Sequence, residues 1–289
     1  MITKGYDTNK KPQCIIVKVA TMQSTRVRCR IYHAIKVINQ YVEGRPYTDY
    51  FNHVQNIRGN GIFYCRMPQA PKHVLIEISD ANNGQTKINT GNIKLIPFDS
   101  KSWIGSVPLK TNIFNFNYKD KKIQEAINHF QWLSEHLSVL SSGGSVYGSV
   151  PTYYIRVDMH DHLINRQTRQ LEEGSPARIG IETKIIEVSK EVLGKYTVQQ
   201  RMSVFMHEYG HGYLNSKMAD ESEADMNAIK ILISLGYSRV EIAKVFLSVF
   251  DKYQTKDNKN RWLLIKDYIA HYDLKNLSYN DENYYKLNG

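Results

Sequence analysis

A chain of 289 residues with 42% hydrophobic and 23% charged positions is long enough to bury a large core, as one large or two small domains. The hydrophobic fraction is ordinary for a soluble protein, no apolar run approaches the ~18 residues of a membrane span, and residues 1–13 lack the apolar stretch of a secretory signal. The charge is uneven: residues 1–110 hold 16 Lys and Arg against 6 Asp and Glu, whereas residues 111–289 hold 22 of each.

All of the net charge of +10 therefore sits in the N-terminal third. Such asymmetry points to a module that meets something acidic, either nucleic acid, an acidic protein or an anionic surface. The plain alternative, basic residues that only solvate a small domain, stands beside it, because no nucleic-acid motif accompanies the charge. Cys14, Cys29 and Cys65 are odd in number and widely spaced. They fit reduced thiols in a cytoplasmic or other intracellular compartment better than a disulfide framework.

In chain order, residues 14–20 (CIIVKVA) read as a buried strand. Residues 25–42 carry Val27, Ile31, Ala34, Ile35, Ile38 and Val42 at helical spacing and predict a helix, stopped by Gly44, Arg45 and Pro46. Residues 26–31 also alternate as a strand would. Gly59-Asn60-Gly61 marks a turn, 62–66 a short strand, and 73–79 and 92–97 two further strands across a polar turn at Asn82-Asn83-Gly84. The first 110 residues thus form a small basic α/β module with its own sheet.

Residues 100–117 read as a connection, and 120–140 as an amphipathic helix with Ile123, Ile127, Phe130, Leu133 and Leu137 on one face. Residues 141–148 (SSGGSVYG) predict a flexible stop, and 152–157 a strand. Asp158-Met159-His160-Asp161-His162 offers metal-ligand types, but in an extended segment His160 and His162 share a face while Asp161 points away, which favours a polar loop. Residues 178–188 alternate as a strand.

The densest chemistry follows. Thr197 and Gln200 stand as N-cap and N3 of a helix over 198–215. That helix carries His207-Glu208-Tyr209-Gly210-His211, the H-E-x-x-H spacing that puts two imidazoles on one face for one Zn²⁺. Chance alone gives roughly one such motif in sixty chains of this composition. Zinc needs a third protein ligand. Glu221 and Asp225, again four apart on a predicted helix, supply a ligand and an acceptor for the N–H of His207 or His211. Glu223 falls off that face and reads as solvated. Helices over 221–235, 240–250 (with Ser238 and Glu241 as a capping box) and 259–272 complete the chain, ending in a polar tail over 274–289.

HEYGH, then ESEAD, then MNAIKIL over 226–232 and Leu235-Gly236-Tyr237-Ser238 resemble the gluzincin zinc metallopeptidases, above all the HtpX and CAAX-prenyl-protease family, with the ImmA/IrrE-like metallopeptidases second. The resemblance covers residues 179–253. It departs in the nine-residue gap between His211 and Glu221, in lacking transmembrane helices and in having no His-Pro element near 257–261. It implies an α+β chain in which the basic module precedes a zincin-like domain over 111–289, built from a sheet with an edge strand, the HExxH helix and C-terminal helices. It implies a zinc-dependent endopeptidase acting on a protein or peptide, with one Zn²⁺ on His207, His211 and Glu221 and a zinc-activated water deprotonated by Glu208 as general base. By the same resemblance the strand before the catalytic helix, at Gly180, Ile181, Glu182, Thr183 and Lys184, holds extended substrate, and His160 or His162 stabilises the oxyanion. The alternative is a zincin fold serving as an assembly subunit of a virion or other large complex, with the basic third and the tail as docking surfaces.

Overall fold

Alternation on either side of a bulge along residues 13–37 decides the architecture of the N-terminal part. Ile15, Val17, Val19, Val27, Cys29 and Ile31 are buried, while Lys18, Arg26 and Arg28 between them are exposed. That is a period of two, so β2 (Gln13–Val37) is one 25-residue strand in the computed structural model. The structure describes residues 1–10, 13–44, 49–67, 70–82, 84, 86–97, 121–122, 125–126, 144–150, 153–234, 237, 239–252 and 254–276.

The helix expected over 25–42 is thereby corrected to strand. Ile35, Ile38 and Val42, three of the residues that made the helical stripe, are exposed. The turn expected at Gly59–Gly61 is also strand: Gly59, Asn60 and Gly61 pair with Thr21, Ala20 and Val19 inside β4 (Asp49–Met67). The irregularity falls on the partner strand. Between Thr21 and Thr25 the register slips, Thr21 opposing Gly59 and Thr25 opposing Ile57, and the exposed Met22, Gln23 and Ser24 bulge outward.

One side of β2 pairs antiparallel with β4. The other side pairs with β6 (Ile88–Pro97) over its first half and with β5 (His73–Asp80) over its second. Beyond β5 lies β1 (Ile2–Asp7), and a two-residue turn joins β2 to β3 (Gln40–Glu43). The second sheet has four strands in the order β7 (Gly144–Val150), β8 (Tyr153–His160), β10 (Ile186–Ser189), β9 (Ala177–Ile179). The expected stop at 141–148 is strand from Gly144 on, and the expected strand over 178–188 is two strands around a turn.

Ser189 ends β10 and caps α1 (Lys190–Leu193), its Oγ accepting from the Val192 N–H at 3.3 Å. Thr197 opens α2 (Val198–Tyr209) with the expected capping box: Gln200 N–H donates to Thr197 Oγ1 at 3.3 Å, and Thr197 N–H to Gln200 Oε1 at 2.9 Å. A π-turn, Gly210–Leu214, continues α2. Then come α3 (Glu221–Ser234), α4 (Arg239–Lys252) and α5 (Lys256–Asn276). Among the described residues no helix is long and apolar enough to cross a membrane.

The expected helix over 120–140 lies almost entirely outside the described residues, of which 121–122 and 125–126 are helical. The Ser238 cap and most of the tail also lie outside them. Glu241, the other half of that cap, is buried and accepts from Thr197 Oγ1 at 3.0 Å and Lys244 Nζ at 2.7 Å.

A single apolar cluster runs from the inner face of the first sheet through β8 and β10 to α2, α3 and α4. Helix α2 lies at its centre, with ten of its twelve residues buried. Its Gln199 Nε2 donates to the Tyr50 carbonyl of β4 at 3.2 Å, and Lys244 of α4 reaches His53 of the same strand at 3.3 Å. The basic N-terminal part and the helical part therefore share one core, which holds α2 rigidly from several sides.

Candidate metal centre

The last turn of α2 and the π-turn after it present His207 and His211 together. Their Nε2 atoms are 3.0 Å apart and their rings stand at 86°. An N–H at position 215 reaching back to the Gly210 carbonyl, 2.9 Å, closes the wide turn that contains His211. Such π-turns recur at functional sites because they re-aim one side chain without ending the helix. A Cβ at Gly210 would lie 3.2 Å from Ala224 Cα, so this glycine lets α3 approach closely.

That approach delivers Glu221. Asp220 caps α3, its Oδ1 accepting from the Glu223 N–H at 2.9 Å, and Glu221 in the first turn sets Oε2 3.4 Å from His207 Nε2 and Oε1 3.5 Å from His211 Nε2. Tetrahedral zinc with bonds of about 2.0–2.1 Å places its donors roughly 3.3 Å apart. The three donor separations of 3.0, 3.4 and 3.5 Å match that spacing. Among the described residues, this is the one group of His, Cys, Asp or Glu able to hold a metal ion.

The other ring nitrogen of each histidine lies close to an oxygen, which favours the Nε2 atoms facing the group. His211 Nδ1 donates to the Met218 carbonyl at 2.6 Å, and His207 Nδ1 lies 2.8 Å from Asp225 Oδ1. Asp225, 1% exposed, thus serves His207. A residue absent from the expected set completes the arrangement. Arg261 of α5 donates Nε and Nη2 to the two oxygens of Asp225, at 2.6 and 3.0 Å, and its Nη2 also lies 3.0 Å from Glu221 Oε2.

These charges set the protonation states. Burial pulls His207 down, but hydrogen bonds to Asp225 and Glu221 outweigh it and lift the imidazole to about 10. The same histidines, with Arg261, hold the Glu221 carboxyl far below its ordinary range. Glu208 behaves oppositely: burial raises it, and Glu221 adds to the rise against His207, His211 and the Ile179 N–H. A carboxyl raised above its ordinary value, beside a group able to hold a metal ion, is suited to take up and return a proton. Glu223, expected to be solvated, instead accepts from Ser216 N–H and Oγ at 2.9 and 2.8 Å and pins the loop between the π-turn and α3.

A cavity of about 290 Å³ opens on this group. His207, Glu208 and Arg261 form its polar side, and Ala177, Tyr196, Val204 and Phe246 its apolar side. The five residues expected to hold substrate lie elsewhere. Gly180, Ile181, Glu182, Thr183 and Lys184 form the turn between β9 and β10, closed by Lys184 N–H to the Gly180 carbonyl at 2.8 Å, with Lys184 at a positive φ of 53°. The extended edge beside α2 is β9, just before them. His160 and His162 are not among the residues lining the cavity. His160 faces Glu187 at 3.7 Å, and His162 pairs with Glu191 at 2.7 Å.

No protein-family model, curated protein or solved structure matches this chain.

Proposed function

We propose that the chain is a zinc-dependent endopeptidase. The observation that carries this reading is the spacing of His207 Nε2, His211 Nε2 and Glu221 at tetrahedral zinc distances, with the buried Glu208 lining the same cavity as His207 and Glu221. A surface cluster of histidines has no need of Asp225 and Met218 to orient both rings. Zinc bound there supplies a Lewis acid that polarises a peptide carbonyl and acidifies water.

The chain's own groups do the rest. Glu208 takes a proton from the attacking water and passes it to the leaving amine. The Ile179 N–H holds one side of its carboxylate, which limits the rotamers from which the proton is taken. Asp225 fixes the His207 tautomer, and Arg261 fixes Asp225 and Glu221.

Strand β9 supplies the substrate edge in place of 180–184. Gly180 N–H bonds to the Ile185 carbonyl, and Ser189 N–H to the Pro176 carbonyl. Residues 176, 178 and 180 therefore turn their backbone groups toward β10, and Ala177 and Ile179 turn theirs outward, toward Glu208. Among the described residues no strand pairs with that outer edge. An extended peptide adding there runs past Glu208 and places one side chain in the apolar half of the cavity.

The test is zinc per chain in protein prepared without chelator, with Glu221→Ala beside it. One equivalent in the wild type, lost or sharply weakened in the variant, is the expected result. Folded protein without zinc overturns the proposal, leaving the cluster as an ion-pair network.

A further inference from the structure

We infer that the outer face of the six-stranded sheet binds single-stranded nucleic acid. The inference does not rest on the metal centre, which lies on the helical side of the molecule.

Five basic residues of the N-terminal part share one face of the sheet. Between Ile16 and Arg30 the even-numbered positions of β2 face away from the core, so Lys18, Arg26 and Arg28 project from one side of the sheet, all exposed. Lys94 of β6 opposes Lys18's neighbour on that face, Ile16, and joins them. Arg58 of β4, next to the buried Ile57, is exposed on the same side. None of these five makes an ion pair among the described residues. Arg30, further along the face, is consumed by Asp49 and Glu43 at 2.8 and 2.9 Å. Among the described residues the face is thus polarised, with carboxylates at one end and cations outside any ion pair along the rest.

The spacing suits a phosphodiester chain. Arg26 and Arg28, two positions apart on a strand, stand about 6.7 Å from each other, comparable to successive phosphates. The row from Lys18 to Arg28 extends over roughly 25 Å of strand. Between the cations lie groups that contact bases. Tyr64 opposes Ile16 from β4, as Lys94 does from β6, and is partly exposed, and Asn60 and Asn56 oppose Ala20 and Arg26. A basic track with an aromatic for stacking and amides for base edges is how flat surfaces hold single strands. A rigid duplex touches such a surface only along its backbone, and among the described residues the elements on this face are strands, with no helix to enter a groove.

The experiment uses the whole zinc-supplemented protein and fluorescence anisotropy of labelled dT12 and rU12 between 50 and 200 mM salt. Binding is expected to weaken with salt at a log–log slope of about −3, from four or five phosphate contacts on a single strand. R26E/R28E is expected to cost at least about tenfold in affinity. K256E/K259E, the same charge change at exposed positions of α5, is expected to leave it nearly unchanged. K18Q/K94Q, at the other end of the row, gives an independent loss and a shallower slope, and Tyr64→Leu weakens binding without changing the slope. The inference is overturned by absence of binding, by equal losses in K256E/K259E and R26E/R28E, or by equally tight binding of a 12-base-pair duplex, polyglutamate or phosphatidylserine vesicles.

Discussion

Arg261 Nη2 stands 3.0 Å from Glu221 Oε2 while the same guanidinium grips Asp225. One side chain from α5 thereby fixes both a metal-ligand carboxylate and the carboxylate that orients His207. Arg261→Lys keeps the charge but not the planar fork, and zinc affinity is expected to fall about tenfold or more, as for other groups that orient ligands. Arg261→Met also leaves the buried Asp225 without its guanidinium, at a cost of about 3 kcal/mol in stability. Competition with a chelating dye gives the affinity, and urea unfolding in chelator gives the stability. Wild-type zinc affinity in Arg261→Met removes Arg261 from the site.

Metal and proton compete for His207. Its imidazole is lifted to about 10 in the metal-free chain, against burial, by Asp225 and Glu221, yet only the neutral ring binds zinc. At pH 7 zinc binding must therefore expel a proton, and log affinity is expected to rise by about one per pH unit between pH 6 and 8. Titration calorimetry in buffers of different ionisation enthalpy counts that proton directly. The linkage also fixes the sign for metal-free protein. A folded pKa above the unfolded value gives stability that is complete below about 6.5 and is lost as pH rises toward 10. Without metal, the melting temperature is expected to fall over that window. A flat profile disproves the coupling of His207 to Asp225 and Glu221.

How much of this was legible depended on where the information lay. Helix α2, its Thr197–Gln200 cap and the pairing of His207 with His211 are written in residues three and four apart, and the structure shows all three. Glu221 and Asp225 were legible for the same reason. β2 was misread because Val27 and Ile31 satisfy both periods. The alternation of Arg26, Arg28 and Arg30 with Val27, Cys29 and Ile31 was the better signal, and the exposed Ile35 and Ile38 the false one. The turn inside 178–188 was hidden because Lys184 takes a positive φ that neither its chemistry nor its neighbours announce. Arg261 contributes from 36 residues beyond Asp225, and Met218 and Ile179 contribute through backbone atoms. No pattern of side chains records such contacts.

Glu208→Gln separates the base from the metal group. The amide has the size of the carboxylate, so the fold and zinc content are expected to stay at wild-type values, while turnover of a peptide library falls by at least about a hundredfold. In the wild type, burial raises Glu208 above the ordinary carboxylate range. Because the base acts when deprotonated, the acid limb of the rate profile is expected above the usual Glu value of about 4.3. A Glu208→Gln enzyme that cleaves as well as wild type refutes the assignment.

The two-residue turn between β2 and β3 offers a stability test far from the chemistry. Val37 pairs with Gln40, so Ile38 and Asn39 form the loop, and Ile38 holds φ at 56° with its side chain 90% exposed. Tight hairpin turns need a positive φ at the first loop position, where glycine is favoured. A β-branched residue there clashes with its own carbonyl, at about 1–2 kcal/mol, and gains nothing back from burial. Ile38→Gly is expected to stabilise the protein by about 1 kcal/mol, the relief exceeding glycine's greater loss of chain entropy. Ile38→Val retains the branch and is expected to be neutral. Urea unfolding of the three proteins in chelator measures the difference without a contribution from bound metal, and destabilisation by glycine means the turn is not strained at Ile38.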